Sequence, residues 1–293
     1  MFFHTKHLQY PAKPDRPDPI YAKQLQEVLG GQWGEMSVMM SYLFQGWNCR
    51  GPAKYRDMLL DIGTEEIAHV EMLSTMIARL LETAPAADQE AAANGNGVLG
   101  AVLGGTDPQE AIIEGMNPQH AIVSGLGALP SDSQGYPWNS RYTIASGNLM
   151  ADFRFNVTAE SQGRLQVTRL FGLTDDRGVR DMLSFMIARD AMHQNQWLAA
   201  IQELEADGLA TPLVPDTFPA EQQNNEVAYQ YWNCSEGDDS KAGRWAGGPS
   251  PDGLGDFEYL KSPKPLGPKV DEAHEVDPHL HGTPKTPKEP VAS

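Results

Sequence analysis

Cysteine is nearly missing from this chain: Cys49 and Cys234 are the only two in 293 residues. They lie far apart and form no metal-binding spacing, which argues against a disulfide framework and for a reducing compartment, here the cytoplasm. Long apolar runs are missing too. None approaches the ~20 residues of a membrane span, and Met1-Phe-Phe-His-Thr-Lys6 opens no segment apolar enough for a signal peptide. Positive charge is scarce, with 22 Lys and Arg against 39 Asp and Glu and a formal net charge of −17. A surface of that sign repels nucleic acid and anionic membrane, so neither is expected as a partner. What remains, at 40% hydrophobic, is enough to bury a core in one large domain or two small ones.

The most informative stretch is Gly63-Thr-Glu-Glu-Ile-Ala-His-Val-Glu71, which holds Glu66-x-x-His69 inside a long helical pattern. Residues three apart share one helix face, so the carboxylate and the imidazole can address the same object, and that pairing suits a transition metal. A single Glu-x-x-His arises readily on any solvated helix. Its meaning depends on partners elsewhere in the chain.

Taken in order, residues 1–17 are polar and proline-rich and read as an extended arm. Asp18-Pro19 is a helix start, Asp as N-cap and Pro at the first helical position. One helical pattern then runs to about Gly46 through Leu25, Val28, Leu29, Met36, Met39, Met40 and Leu43. Gly30, Gly31 and Gly34 interrupt it, predicting tight backbone packing or a bend if the helix does not break there. Trp47-Asn-Cys-Arg-Gly-Pro52 is a turn, and a second helix is expected over Ala53–Glu82. A long connection from Ala84 to about residue 147 follows, with one short helix expected near Pro108–Glu114; a connection of this length is usually functional or a crossover. Third and fourth helices are expected over Asn148–Leu173, using Leu165 among its apolar positions, and from the Thr174-Asp-Asp176 cap to about Asp207. From Thr211 the chain turns rich in Pro, Gly and Asp, with short strands, and residues 261–293 read as a tail. His274, His279 and His281 lie in that tail as ordinary polar residues, and His4, His7 and His120 have no ligand-like partners.

The fold class expected is therefore an all-α core, a ferritin-like four-helix bundle with a long crossover between two helical hairpins. The N-terminal arm is 1–18, the bundle 19–208, the crossover 84–147, and the irregular, partly β C-terminal extension 209–293. Glu35 and Glu66 are 31 residues apart, with their midpoint in the first turn. Glu160 and Asp190 are 30 apart, with their midpoint at Asp175 in the second. In an antiparallel hairpin, residues equidistant from the turn lie side by side, here roughly 23 Å down each hairpin. Each hairpin thus repeats one pattern: a glutamate on its first helix and an acid-x-x-His on its second, Glu66…His69 and Asp190…His193. This is the di-metal carboxylate arrangement of ferritin-like bundles. Buried carboxylates among apolar neighbours are costly unless paired or metal-bound.

At this point the chain resembles the manganese catalases. The resemblance rests on Leu29-Gly-Gly-Gln-Trp-Gly-Glu35, Met39-Met-Ser-Tyr-Leu43, Gly63-Thr-Glu-Glu66 with Ala68-His-Val-Glu-Met72, Gly147-Asn-Leu149 and Arg154-Phe-Asn156. It implies two manganese ions per subunit and disproportionation of hydrogen peroxide to water and dioxygen, with the pair cycling between Mn(II) and Mn(III). Glu35 and His69 would hold one ion, Glu160 and His193 the other, and Glu66 both. Tyr42 would stand beside the site. Asp190, where many relatives have Glu, would be the proton-transfer base. Ala159 stands where some relatives place an arginine that closes access, which implies a more open pocket. The resemblance further implies a homohexamer whose tails wrap neighbouring subunits. It also implies calcium on oxygen donors of Asp57, Asp61, Asn233, Ser235 and Gly237. Two readings from other classes stay open: a di-iron ferroxidase or oxygenase on the same scaffold, and a coat or structural relative without turnover.

Overall fold

A computed structural model describes residues 4–82, 117–209 and 220–267. The chain divides into two compact units, Met1–Thr217 and Phe218–Ser293. The first unit is helical. Its helices are α1 (Pro19–Gly30), α2 (Glu35–Asn48), α3 (Ala53–Leu80), the short α4 (Pro118–Ile122), α5 (Leu149–Gly172) and α6 (Arg177–Ala206). The expected helix near Pro108–Glu114 and the three tail histidines lie outside the described residues. Among the described residues no helix is long and apolar enough to cross a membrane.

Side-chain caps set several helix starts. Asp18 accepts from Tyr21 N at 2.9 Å, Asn148 from Ala151 N at 3.0 Å, and Asp176 from Val179 N at 2.9 Å. Each bond satisfies an amide that the first turn cannot pair internally. Of the outcomes left open at Gly30, Gly31 and Gly34 the structure shows the break: the pattern from Asp18 to Gly46 is two helices. α1 closes where Gly31 N–H donates to Glu27 O at 2.9 Å, and α2 begins after an extended Gly34 (φ −81°, ψ 167°). The break has a steric partner. A Cβ on Gly30 would run into the backbone of Ser131, which also receives a hydrogen bond from Gln26 Nε2 at 2.7 Å. The local glycines thus answer a contact more than 100 residues away in sequence.

α2 packs on α3 and α5 packs on α6. Gly46 lies against Leu59 and Leu60, and Gly63 against Leu43, so α2 and α3 run antiparallel. At Gly63 a Cβ would sit 3.1 Å from the Leu43 amide nitrogen, so glycine there lets the two backbones close just before Glu66. The two pairs are stitched together by the reciprocal amide pair Gln45–Asn156 (2.9 and 2.7 Å) and by Tyr55 Oη donating to Asp207 (2.8 Å), and α1 is tied to α5 by Tyr21 Oη donating to Leu170 O (2.7 Å). Leu165, expected on the buried face of α5, is exposed, whereas Val167 and Leu170 are buried.

The apolar core of this unit falls into two clusters. One gathers Leu25 and Leu29 of α1, Met72, Met76 and Ile77 of α3 and Met182, Leu183 and Met186 of α6. The other gathers Val38 and Tyr42 of α2, Leu59 and Ile62 of α3, Phe153 of α5 and Trp197 of α6. Between Ile62 and Met72, and between Met186 and Trp197, the buried residues of α3 and α6 are Gly63, Glu66, His69, Asp190 and His193. A polar seam therefore separates the two clusters.

The second unit holds a three-stranded sheet in the order β1-β3-β2. β1 (Gln230–Trp232) runs parallel to β3 (Asp256–Leu260), and β2 (Gly247–Pro249) runs antiparallel to it. The short strands expected after Thr211 are present as this sheet.

The glycine contacts give a paired test. Gly30→Ala should lower the melting temperature, because its Cβ meets backbone that cannot rotate away. Gly172→Ala, where the added Cβ meets nothing, should stabilise by up to about 1 kcal/mol through helix propensity. Thermal melts of both variants read the sign directly.

Candidate metal centre

Four helices each deliver one part of the seam. Glu35 is the first residue of α2, set there by the Gly31–Gly34 break. Glu66 and His69 sit one turn apart on α3, Glu160 is in mid-α5, and Asp190 and His193 are one turn apart on α6. All six are buried, both histidines completely.

The geometry converges on Glu66. Its Oε2 lies 2.7 Å from His69 Nδ1 and its Oε1 lies 2.8 Å from His193 Nδ1. Glu35 Oε2 is 3.5 Å from His69 Nδ1, and Glu160 Oε1 is 3.8 Å from His193 Nδ1. The imidazole planes stack at a centroid distance of 5.6 Å. Two sets of donor atoms result, Glu35–Glu66–His69 and Glu66–Glu160–His193, each lying within 4.8 Å of one another, with Glu66 common to both. Tyr42 Oη donates to Glu160 Oε1 at 2.6 Å. Ala159 is buried in the same apolar cluster as Tyr42.

These close approaches are not all hydrogen bonds. Glu66 Oε2, both ring nitrogens of His69 and His193 Nδ1 are buried without a hydrogen-bond partner, although oxygen and nitrogen face each other at 2.7–2.8 Å. The atoms aim at shared points in space and not at one another. Buried polar atoms left this way cost free energy that a cation would recover. The donor set fits the group: carboxylate and imidazole suit manganese.

Electrostatics point the same way. Burial, reinforced by the charge of Glu66, pushes the Glu35 carboxyl up to about 8. Burial also lifts Glu160, helped by Glu66 and Asp190, and lifts Asp190, helped by Glu35 and Glu66. Tyr42 is raised by burial and by Glu160. For Glu66 burial acts upward as well, but His69 and His193 outweigh it and hold the carboxyl well below the usual range. The same attraction, against burial, raises His69 and takes His193 to about 10. So many carboxyl groups cannot all ionise in a dry seam without added positive charge.

Sequence reasoning did not single out Glu65 and Arg189. Arg189 forks onto Glu65 (Nε to Oε1 2.6 Å, Nη2 to Oε2 3.1 Å), and Glu65 Oε2 also meets His193 Nε2 at 3.1 Å. A signal existed. Glu65 and Arg189 precede Glu66 and Asp190 by one residue each, so the matched-depth arithmetic shifted by one picks them out. His120 is buried on Gln26 (Nε2 to Oε1 3.0 Å), consistent with a structural role. Asp57 and Asp61 are exposed on α3, with Asp57 held by Arg56 at 3.0 Å. Asn233, Ser235 and Gly237 belong to a loop of the second unit closed by Asn233 Nδ2 donating to Gly237 O at 2.7 Å.

A family model described as manganese containing catalase matches residues 1–289. The chain belongs to the manganese catalase family. It is 58% identical over 283 residues to a manganese catalase of Bacillus subtilis, covering 97% of this chain and 98% of that one. It is 62% identical over 263 residues to a second Bacillus subtilis protein, YjqC, covering 90% and 91%. The crystal structure of KatB, a manganese catalase from Anabaena, superposes with a TM-score of 0.66 at 26% identity, covering 90% of this chain and 100% of that one. Membership makes hydrogen peroxide the substrate and a dimanganese centre the cofactor, and it favours the catalase over the di-iron and coat-type readings.

The raised groups fix a pH dependence. Between about pH 5 and pH 8 the native cation-free protein keeps protons on Glu35 and His193 that the unfolded chain releases, so its stability falls as pH rises through that window. Manganese takes the place of those protons. The rise in melting temperature on adding Mn(II) should therefore grow from about pH 5.5 to about pH 7.5. Melts with and without Mn(II) read it, and a gap that narrows with pH would contradict the assignment.

Proposed function

We propose that peroxide disproportionation runs at the seam, where Glu35 and His69 would hold one manganese, Glu160 and His193 the other, and Glu66 would serve both. The observation that carries the reading is the pair of buried donor sets with Glu66 in common. When bound, the manganese pair supplies a two-electron couple between Mn(II) and Mn(III), so one peroxide is reduced and another oxidised.

The chain supplies orientation and proton handling. Tyr42 Oη holds Glu160 Oε1, fixing which oxygen faces His193. Asp190 is buried, lies in the seam, belongs to neither donor set and has a carboxyl that burial favours in its protonated form. It can hold a proton in one half-reaction and return it in the other, the role of a general base and acid. The two apolar clusters above and below the seam keep bulk water from those groups.

We further infer that α2, α3, α5 and α6 form a ferritin-like four-helix bundle of two hairpins joined by a long crossover. The pairing of α2 with α3 and α5 with α6, and the convergence of all four on the seam, support it. A homohexamer and a cytoplasmic location follow from the resemblance and from the two free cysteines. Calcium on oxygen donors of Asp57, Asp61, Asn233, Ser235 and Gly237 is inferred in the same way.

Glu66→Ala should lose manganese from both positions and with it oxygen evolution from peroxide. Asp190→Asn should keep about two manganese per chain while turnover falls by roughly 10²- to 10⁴-fold, the usual size of a general acid–base contribution. Elemental analysis beside oxygen evolution separates the two, and metal-replete Asp190→Asn with parental turnover would remove Asp190 from the reaction. If calcium has its inferred role, chelating it should shift the hexamer toward smaller species in sedimentation, with manganese retained. Unchanged assembly and melting would end that inference.

A further inference from the structure

We infer that Glu65 is a positioning residue for both imidazoles of the metal centre, itself held in place by Arg189 and Gln9. The inference rests on the ligand assignment above. An imidazole that ligates a metal keeps one nitrogen bare and commits the other N–H to an acceptor, which fixes tautomer and ring orientation. His193 Nε2 lies 3.1 Å from Glu65 Oε2. An ionised carboxylate only accepts, so the proton that a ligating His193 keeps would be on Nε2, with Nδ1 turned toward Glu66 and Glu160. His69 presents its own Nε2 to the other oxygen, Glu65 Oε1, at 3.8 Å. One carboxylate therefore stands behind both stacked rings, at hydrogen-bond range to His193 and at ion-pair range to His69.

Glu65 is itself tightly specified. The planar fork of Arg189 grips both oxygens, a geometry that fixes direction as well as charge. Gln9 Nε2, from the N-terminal arm, donates to Oε1 at 2.8 Å. Donors from Arg189, Gln9 and His193 thus converge on its two oxygens, which leaves the carboxylate the role of acceptor. The placement repeats across the two hairpins. Glu65 is four residues before His69 on α3, and Arg189 is four before His193 on α6. Glu66 joins the hairpins on the metal side of the imidazoles, and Glu65 joins them behind.

A plain inter-hairpin salt bridge would need the same contacts, so the test must separate positioning from stability. Mn(II) titration of metal-free full-length protein, followed by paramagnetic resonance and melting, does this for Glu65→Gln, Arg189→Met and Glu66→Ala. The expected result is that Glu65→Gln weakens manganese binding about 10- to 100-fold. The position beside His193 should fail first, so two equivalents of manganese give isolated-ion signal where the parent gives an exchange-coupled pair. Arg189→Met should lower the melting temperature of the metal-free protein and weaken binding far less. Binding within about twofold of the parent in Glu65→Gln, or equal weakening in Glu65→Gln and Arg189→Met, overturns the positioning role. In either case metal loss in Glu66→Ala leaves the ligand assignment standing. Two ions retained by Glu66→Ala would overturn that assignment and this inference with it. Should Glu65→Gln fail to fold, Glu65→Asp keeps the charge but is too short to serve both rings, and reads the same loss.

Discussion

The structure turns on one buried carboxylate. Glu66 has almost no contact with solvent and stands between two imidazoles brought from different hairpins. A lone charge there would be prohibitive. It is tolerated because positive charge can be placed on both sides of it, and that requirement fixes much else. α3 and α6 must face one another at matched depth, α2 and α5 must bring Glu35 and Glu160 to the flanks, and the apolar clusters must stop short of the seam.

Charge distribution explains why these groups act as a unit. Each carboxyl in the seam is pushed toward its neutral form by the others and by burial, while Glu66 and the imidazoles stabilise one another's ionised forms. The site therefore favours an occupant that adds positive charge without adding protons. Softness and shape then select among such occupants, and the carboxylate-rich, cysteine-free donor set turns the choice toward manganese over softer metals.

Much of this was legible in the sequence because it depends on spacing within helices. The pairing of Glu35 with Glu66 and of Glu160 with Asp190 follows from counting outward from two turns, and the caps at Asp18 and Asp176 are read from residue type. What was not legible depends on contacts distant in sequence. The glycines marked a bend, a tight contact or a break between α1 and α2, but the Ser131 backbone that Gly30 meets, about 100 residues on, was not readable. Glu65 and Arg189 share a depth that the spacing could have marked, but that they pair with each other, 124 residues apart, shows only once α3 and α6 are docked. Leu165 fits a generous apolar stripe on α5, yet that stripe is narrower than its composition suggests.

The two donor sets also differ in where they come from along the chain. Glu35, Glu66 and His69 all belong to the α2–α3 pair, so the first set is complete within one local supersecondary unit. The second set borrows Glu66 from that unit and takes Glu160 and His193 from α5 and α6. It does not exist until the hairpins associate. The first set is thus local in sequence, and the second is tertiary. Because one glutamate is shared, the second donor set is complete only when both hairpins are docked.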